Sequence, residues 1–357
     1  MEKIKLVKSN SYAQSNIDYR FKIIYAIGIL AVASGHCLGG GVDMGLVDWF
    51  PLHSYHLPLF TFASGYFYKD NSSKNLRKYF FRKVKSLLLP LYEYTIIYGL
   101  ITQFIKKFGF NFGDKYNLKN VFIGPLLGNH QYKLSLGGWY VIPLFFVQII
   151  NAFKRKIVNI GNNNCYEVSL FFMIFYFTPF YSLGILYKKL LEDFDPKINS
   201  SIYYSFILII KLSFHYYYGR PLSFSEAWLI FNQVKCFVPH IICFLGIAFW
   251  LRTAKILSPI IGNDKIINLI SDNAFSIMMN QFVGFMLLKS IIAFLSKKYP
   301  KKFPGFNWTQ FYKNIYYYYT PKDLKNMNIL YLISGISISI YIQMIINKIK
   351  SFIYFFK

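Results

Sequence analysis

Three histidines close together in the chain, His36, His53 and His56, carry the most chemistry this sequence offers. An imidazole near neutral pH can take a proton from a hydroxyl and return it to a leaving group. All three fall in apolar surroundings, where an ionisable group is expensive and is a functional candidate by default. The alternative is a histidine bonded to a neighbouring helix or to the interface, and both readings stand at this point. Three histidines also suit zinc. Only Cys37 supports that reading, so no metal is expected. Glu93 is the acidic group within an apolar stretch: it can orient His36, pair with a buried cation, or form a purely structural ion pair. Lys211, His215, Lys235 and His240 are further ionisable residues in or near apolar stretches.

The elements that must position these residues are membrane helices. The chain has 357 residues, 55% hydrophobic and 21% aromatic, with 15% charged, against about 25% charged in soluble domains. Apolar stretches long enough to cross ~30 Å of hydrocarbon recur along the chain. They are read as spans at 22–38, 51–68, 86–105, 134–152, 167–187, 201–217, 231–251, 272–295 and 329–347. Lipid cannot satisfy open backbone groups, so the spans must be helical. The expected fold is all-α, a polytopic transmembrane bundle of about 9–10 helices, forming a single membrane-embedded domain over 1–357. Residues 1–16 form a polar N-terminus without a cleavable-signal pattern.

The formal charge of +25 does not point to nucleic acid. The lysines and arginines lie between apolar stretches, where they set topology and meet anionic lipid headgroups. Lys3, Lys5, Lys8, Arg20 and Lys22 place the N-terminus in the cytoplasm. The loop 38–50 has no basic residue and is expected outside, and the next connection, rich in lysine and arginine, returns to the cytoplasm. Lys348, Lys350 and Lys357 suggest a cytoplasmic C-terminus, which needs an even number of crossings. The count of nine does not satisfy this, and the weakest stretch is 153–231. His36 and His56, on two helices joined by a short loop, should fall at similar depth. The four cysteines form no C-x-x-C pair.

The run Ile17-Asp18-Tyr19-Arg20-Phe21-Lys22 through Ala33-Ser34-Gly35-His36, followed by His56-Leu57-Pro58-Leu59-Phe60-Thr61-Phe62-Ala63-Ser64-Gly65-Tyr66-Phe67, resembles the acyltransferase-3 family of membrane acyltransferases. Arg82-Lys83-Val84-Lys85 leading to Leu89-Pro90, Gly138-Trp139-Tyr140 before Leu144-Phe145, and Phe275-Ser276-Ile277-Met278-Met279-Asn280-Gln281 follow in the same order as that family's segments. The resemblance covers roughly residues 17–350.

It implies about ten helices and transfer of an acyl group, usually acetyl from acetyl-CoA, to hydroxyls of polysaccharides, peptidoglycan, lipids or small molecules. It places the catalytic candidate at His36; His56 and Glu93 are companions read from the residues themselves. The setting it implies is a bacterial inner membrane, with lipid, a glycan acceptor and envelope-synthesis proteins as partners. Lys22, Arg82, Lys83 and Lys85 are candidates for the donor's phosphates, as basic side chains are for phosphoryl oxygens, or else positive-inside anchors. Ser64, Tyr66, Trp139, Asn280 and Gln281 are candidates for oxyanion or substrate contacts. Ser64-Gly65 reads equally as a small-residue packing site, and Trp139 as an interface anchor. The Tyr316–Tyr319 run suits an interfacial belt or a sugar contact. Some family members carry an extra soluble esterase-like domain, for which the residues after the last span are expected to be too few. Three positions depart from the family pattern: Tyr25 where a basic residue is usual, Ser86 where a second arginine is usual, and Gln281 where a late histidine is usual. Two other classes fit the same composition, a transporter or flippase for a lipid-linked sugar and a non-catalytic scaffold of envelope synthesis.

Overall fold

A computed structural model describes residues 17–37, 49–69, 75–127, 132–157, 168–222, 237–321, 324 and 326–355. Among them there is no β-strand, only one isolated bridge between Gly113 and Tyr132. The helices are α1 Tyr19–Gly35, α2 His56–Tyr66, α3 Leu76–Lys83, α4 Leu89–Lys106, α5 Val141–Ile157, α6 Val168–Leu186, α7 Ser200–Tyr218, α8 Val238–Ile261, α9 Lys265–Asp272, α10 Ala274–Lys298, α11 Trp308–Lys313 and α12 Met327–Phe355. The protein is an all-α multi-pass membrane bundle. Five helical stretches among the described residues are long and apolar enough to cross a membrane: Leu76–Lys106, Lys133–Phe153, Val238–Ile261, Ala274–Lys298 and Met327–Phe352. The four other expected spans coincide with α1, α2, α6 and α7, which stand outside those five. Residues 1–16, nearly all of the loop 38–50, Lys235, Cys165 and Cys236 lie outside the described residues.

Span 51–68 is interrupted rather than continuous. A 3-10 turn, Leu52–Ser54, precedes an α-helix of only 11 residues that starts at His56, because Pro51 holds extended backbone (ψ 151°) and Tyr55 leaves the helical region (φ −149°). At ~1.5 Å per residue α2 is ~16 Å long, about half the hydrocarbon thickness. The third span is extended: α3 continues through a π-helical turn, Val84–Leu88, into α4. Pro90 has no N–H to give Ser86, so the ladder there is short of a donor. The π turn shifts the register instead, with Leu89 N–H reaching Val84 O.

α1 and α2 run antiparallel. Phe21 meets Phe62, Tyr66 and Phe67, Tyr25 stacks on Phe60 at 5.7 Å, and His53 lies against Gly35. One end of the bundle is therefore basic, with Arg20, Lys22, Lys188 and Lys255 in ion pairs or ring contacts there. The other end holds His36. α2 also presses on α6 with almost no gap. A Cβ added at Gly65 would lie 1.9 Å from Tyr181 O, and one at Gly184 2.1 Å from Phe62 O. Glycine lets two backbones approach this closely, and such small-residue contacts join membrane helices where lipid supplies no hydrophobic drive.

Candidate functional site

The antiparallel pairing of α1 and α2 gathers the three histidines at one end of the bundle. His36 caps α1, with its N–H bonded to Ala33 O. The 3-10 turn brings His53 against Gly35, and the His53 and His56 rings meet edge to face at 5.1 Å. Both His53 and His36 lie within electrostatic reach of His56. His56 is buried, and its Nδ1 bonds Leu52 O at 3.1 Å. Since a carbonyl only accepts, Nδ1 carries the proton in the neutral ring and Nε2 is the acceptor. His36 is half-buried. Its ring stands 5.2 Å from Phe282 and 6.4 Å from Tyr316, centroid to centroid. Tyr318 donates its hydroxyl to His36 O at 2.5 Å.

A buried ammonium supports the turn from behind. Lys211, on α7, is 1% exposed, bonds Ser54 Oγ at 3.2 Å and Ile242 O at 3.3 Å, and lies 3.9 Å from the Phe50 ring. Ser54 adjoins His53, so the cation braces the turn that presents both histidines of α2. His240 is elsewhere in the bundle, bonded to Tyr176 O at 3.2 Å and packed between Tyr176 and Phe180. Cys37 gives its thiol to Ala33 O at 3.2 Å and is buried. Among the described residues no group of three His, Cys, Asp or Glu side chains is arranged to hold a metal ion.

The companions expected for His36 are placed differently. Glu93 does not face an imidazole. Its carboxylate meets Lys350 of α12 at 3.1 Å and is 42% exposed, because α12 runs back toward the basic end and brings its lysine there. Tyr66 is not beside the histidines either. Ten residues of helix separate it from His56, ~15 Å at 1.5 Å per residue. At the basic end its hydroxyl joins Arg20 (2.9 Å) to Glu192 (2.8 Å), with Arg20 also paired to Asp18 at 2.6 Å. Ser64, half a turn earlier on the same helix, is likewise ~12 Å from the level of His56, and its neighbour Gly65 is spent on packing. Asn280 is fully buried and fully engaged: Oδ1 accepts from Tyr98, while Nδ2 donates to Tyr94 Oη (3.2 Å) and Ser276 Oγ (2.8 Å). No amide hydrogen remains for an oxyanion.

Gln281 differs from its neighbour. Its Nε2 bonds Met278 O at 3.3 Å, but its Oε1 is buried with no partner among the described residues. It immediately precedes Phe282, the residue against His36, and so remains close to the site. Trp139 is half-buried in the 3-10 stretch Lys133–Tyr140, which packs tightly on α10: a Cβ at Gly137 would lie 2.2 Å from Met278 O. The adjacent Tyr140 shares a hydrogen bond with Thr61, five residues along α2 from His56, at 2.7 Å.

Of the basic candidates, Lys22 pairs with Asp272 of α9. Arg82 and Lys83 both lie over the Tyr79 ring, at 5.2 and 5.4 Å, and Lys85 is exposed. These side chains share the basic end, with the three histidines at the other. Phe282, Tyr318 and Lys289 are contacts that spacing alone did not reveal. The signal available for them was the position of Phe282 directly after Asn280-Gln281 and the tyrosine run at 316–319.

Residues 19–158 match the model of a family described as an acyltransferase domain. The match runs from the start of α1 to the end of α5 and includes all three histidines and the basic stretch at 82–85. α10 and the segment after it lie beyond the match. No curated protein and no solved structure matches.

Proposed function

We propose, from the premise that the chain belongs to the acyltransferase-3 family and is a membrane acyltransferase, that it moves an acetyl group from acetyl-CoA to a hydroxyl of a cell-envelope glycan. The observation that carries this reading is the convergence of His36, His53 and His56 at one end of the bundle, with one face of His36 lined by Phe282 and Tyr316. The protein is read as a bacterial inner-membrane enzyme with a cytoplasmic N-terminus. The basic end then faces the acyl donor, and the histidine end faces the acceptor.

In this mechanism Arg82, Lys83 and Lys85 hold the donor's phosphates, and the thioester extends into the bundle toward the histidines. A nitrogen of His36 accepts the proton of the acceptor hydroxyl as its oxygen attacks the thioester carbonyl. The C–S bond of the tetrahedral intermediate breaks, an O-acyl ester remains, and the thiolate takes the proton back from the imidazolium. Gln281, next to Phe282, has a side-chain oxygen with no partner among the described residues; as an acceptor it can receive a hydrogen bond from the acceptor hydroxyl but cannot stabilise an oxyanion.

The test compares the O-acetyl content of envelope glycan in cells carrying the intact protein or His36→Ala, with membrane levels matched by immunoblot. Loss of at least ~10²-fold, the lower range for removing a general base, is expected. Unchanged acetylation in a fraction that depends on the protein's presence removes His36 from this role.

A further inference from the structure

We infer that Tyr316 is an acceptor-contact residue, and that the segment 315–318 is built to hold its ring beside His36 for a hydroxyl-bearing sugar ring. The inference rests on the acyltransferase reading and names the face of the site that its acceptor meets.

The segment is fastened on both sides of Tyr316. Before it, Ile315 is 2% exposed and its carbonyl accepts from the ammonium of Lys289, a buried residue of α10. Beyond it, Tyr318 donates to His36 O at 2.5 Å, and its ring packs on Tyr331 (4.9 Å) and Phe285 (6.0 Å). The Lys289 ammonium also lies 4.8 Å from the Tyr318 ring. A buried cation that ties a loop carbonyl to a helix fixes that loop firmly, because releasing it would leave the charge without partners.

Between these fasteners Tyr316 is 47% exposed. One edge of its ring meets Phe282 at 5.6 Å, and its centroid is 6.4 Å from that of His36. Its hydroxyl bonds no described residue, while its backbone N–H is held by Asn314 Oδ1 at 2.9 Å. The result is a positioned, half-exposed aromatic ring whose hydroxyl is not taken by any described residue, next to the proposed base. Tyrosine presents an apolar body with a polar tip, which fits the C–H face and the hydroxyl rim of a pyranose. The Lys289 ammonium is held between the Ile315 carbonyl and the Tyr318 ring.

The test uses saturation-transfer difference NMR on the full-length protein in lipid nanodiscs. The probes are methyl β-glucopyranoside, methyl β-galactopyranoside and methyl N-acetyl-β-glucosaminide. Acyl transfer is read separately, as thioester cleavage of acetyl-CoA. Saturation of ring C–H protons is expected with the intact protein for at least one glycoside. Tyr316→Ala should weaken binding about tenfold, ~1.4 kcal/mol by RT ln 10 and the size of a good aromatic contact. Tyr316→Phe should retain most of the signal. Equal saturation with Tyr316→Ala, or no saturation for any glycoside by a protein that turns over acetyl-CoA, overturns the assignment. A loss of thioester cleavage in His36→Ala with intact glycoside binding supports both readings. Glycoside binding without any cleavage by the intact protein leaves Tyr316 as a sugar contact and removes the transferase reading.

Discussion

Replacing Gly65 by alanine is expected to loosen the joint between α2 and α6. The added Cβ would sit 1.9 Å from Tyr181 O, whereas ordinary contact begins at 3.4 Å. The two helices must therefore part by about 1.5 Å along that line. The obstacle is backbone on both sides, so no side-chain rotation relieves it. Overpacking of a well-filled contact typically costs ~1–3 kcal/mol, and this site belongs at the upper end. The Gly184 contact on Phe62 O, at 2.1 Å, joins the same two helices. Once one contact has forced them apart, the second methyl finds room already made. Gly65→Ala and Gly184→Ala should each lower the thermal midpoint in detergent, and the double variant should lose less than the sum, by at least ~0.5 kcal/mol of coupling. Thermal unfolding of the four proteins, followed by tryptophan fluorescence, measures this cycle. Strictly additive losses, or a Gly65→Ala change within ~0.5 kcal/mol of zero, the range of an uninvolved surface site, would refute the reasoning.

Asn280→Leu should destabilise by ~1–3 kcal/mol, since it strands the buried Tyr98 hydroxyl, while Asn280→Asp should lose less; thermal midpoints decide. Tyr66→Phe removes the hydroxyl between Arg20 and Glu192 and should cost ~1.5–3 kcal/mol, the value for hydrogen bonds to charged groups. Because Tyr66 lies far from the histidines, turnover per folded molecule should not change, and a kcat loss would return it to the site. Lys211→Met keeps the volume and discards a buried charge, so stability should hold or rise. Lys211→Ala should instead lose ~2–5 kcal/mol through the cavity it leaves. The same thermal assay distinguishes them.

The helices were legible because hydrocarbon leaves the backbone no other choice: within the described residues each of the nine apolar stretches holds a helix, though the one in 51–68 is broken. That His36 and His56 lie at the same end of the bundle was also legible, since a short loop between two helices makes them antiparallel neighbours. What stayed hidden was tertiary. Glu93 reads as an intramembrane acid, yet nothing local says that α12 returns to place Lys350 beside it. Asn280 and Gln281 are adjacent amides of the same chemistry, and only packing tells the saturated one from the unsaturated one. Ser64 and Tyr66 share a motif with His56, but 1.5 Å per residue carries them away from it. The break at Pro51–Tyr55 was missed because a run of apolar residues gives the same pattern whether one helix or a turn and a shorter helix spans it.

Lys211 also bears on how the bundle is made. It stands near the middle of the 19-residue helix Ser200–Tyr218, and a lysine at the centre of a span raises the free energy of insertion by ~2.5–3.5 kcal/mol. Alone, that helix would enter lipid reluctantly. Two of the groups that receive its ammonium, Ser54 Oγ and the Phe50 ring, belong to a part of the chain synthesised well before it. The helix is therefore expected to partition into the bilayer against an earlier hairpin that waits at the translocon, and biogenesis of this protein acquires an order that hydropathy alone does not impose.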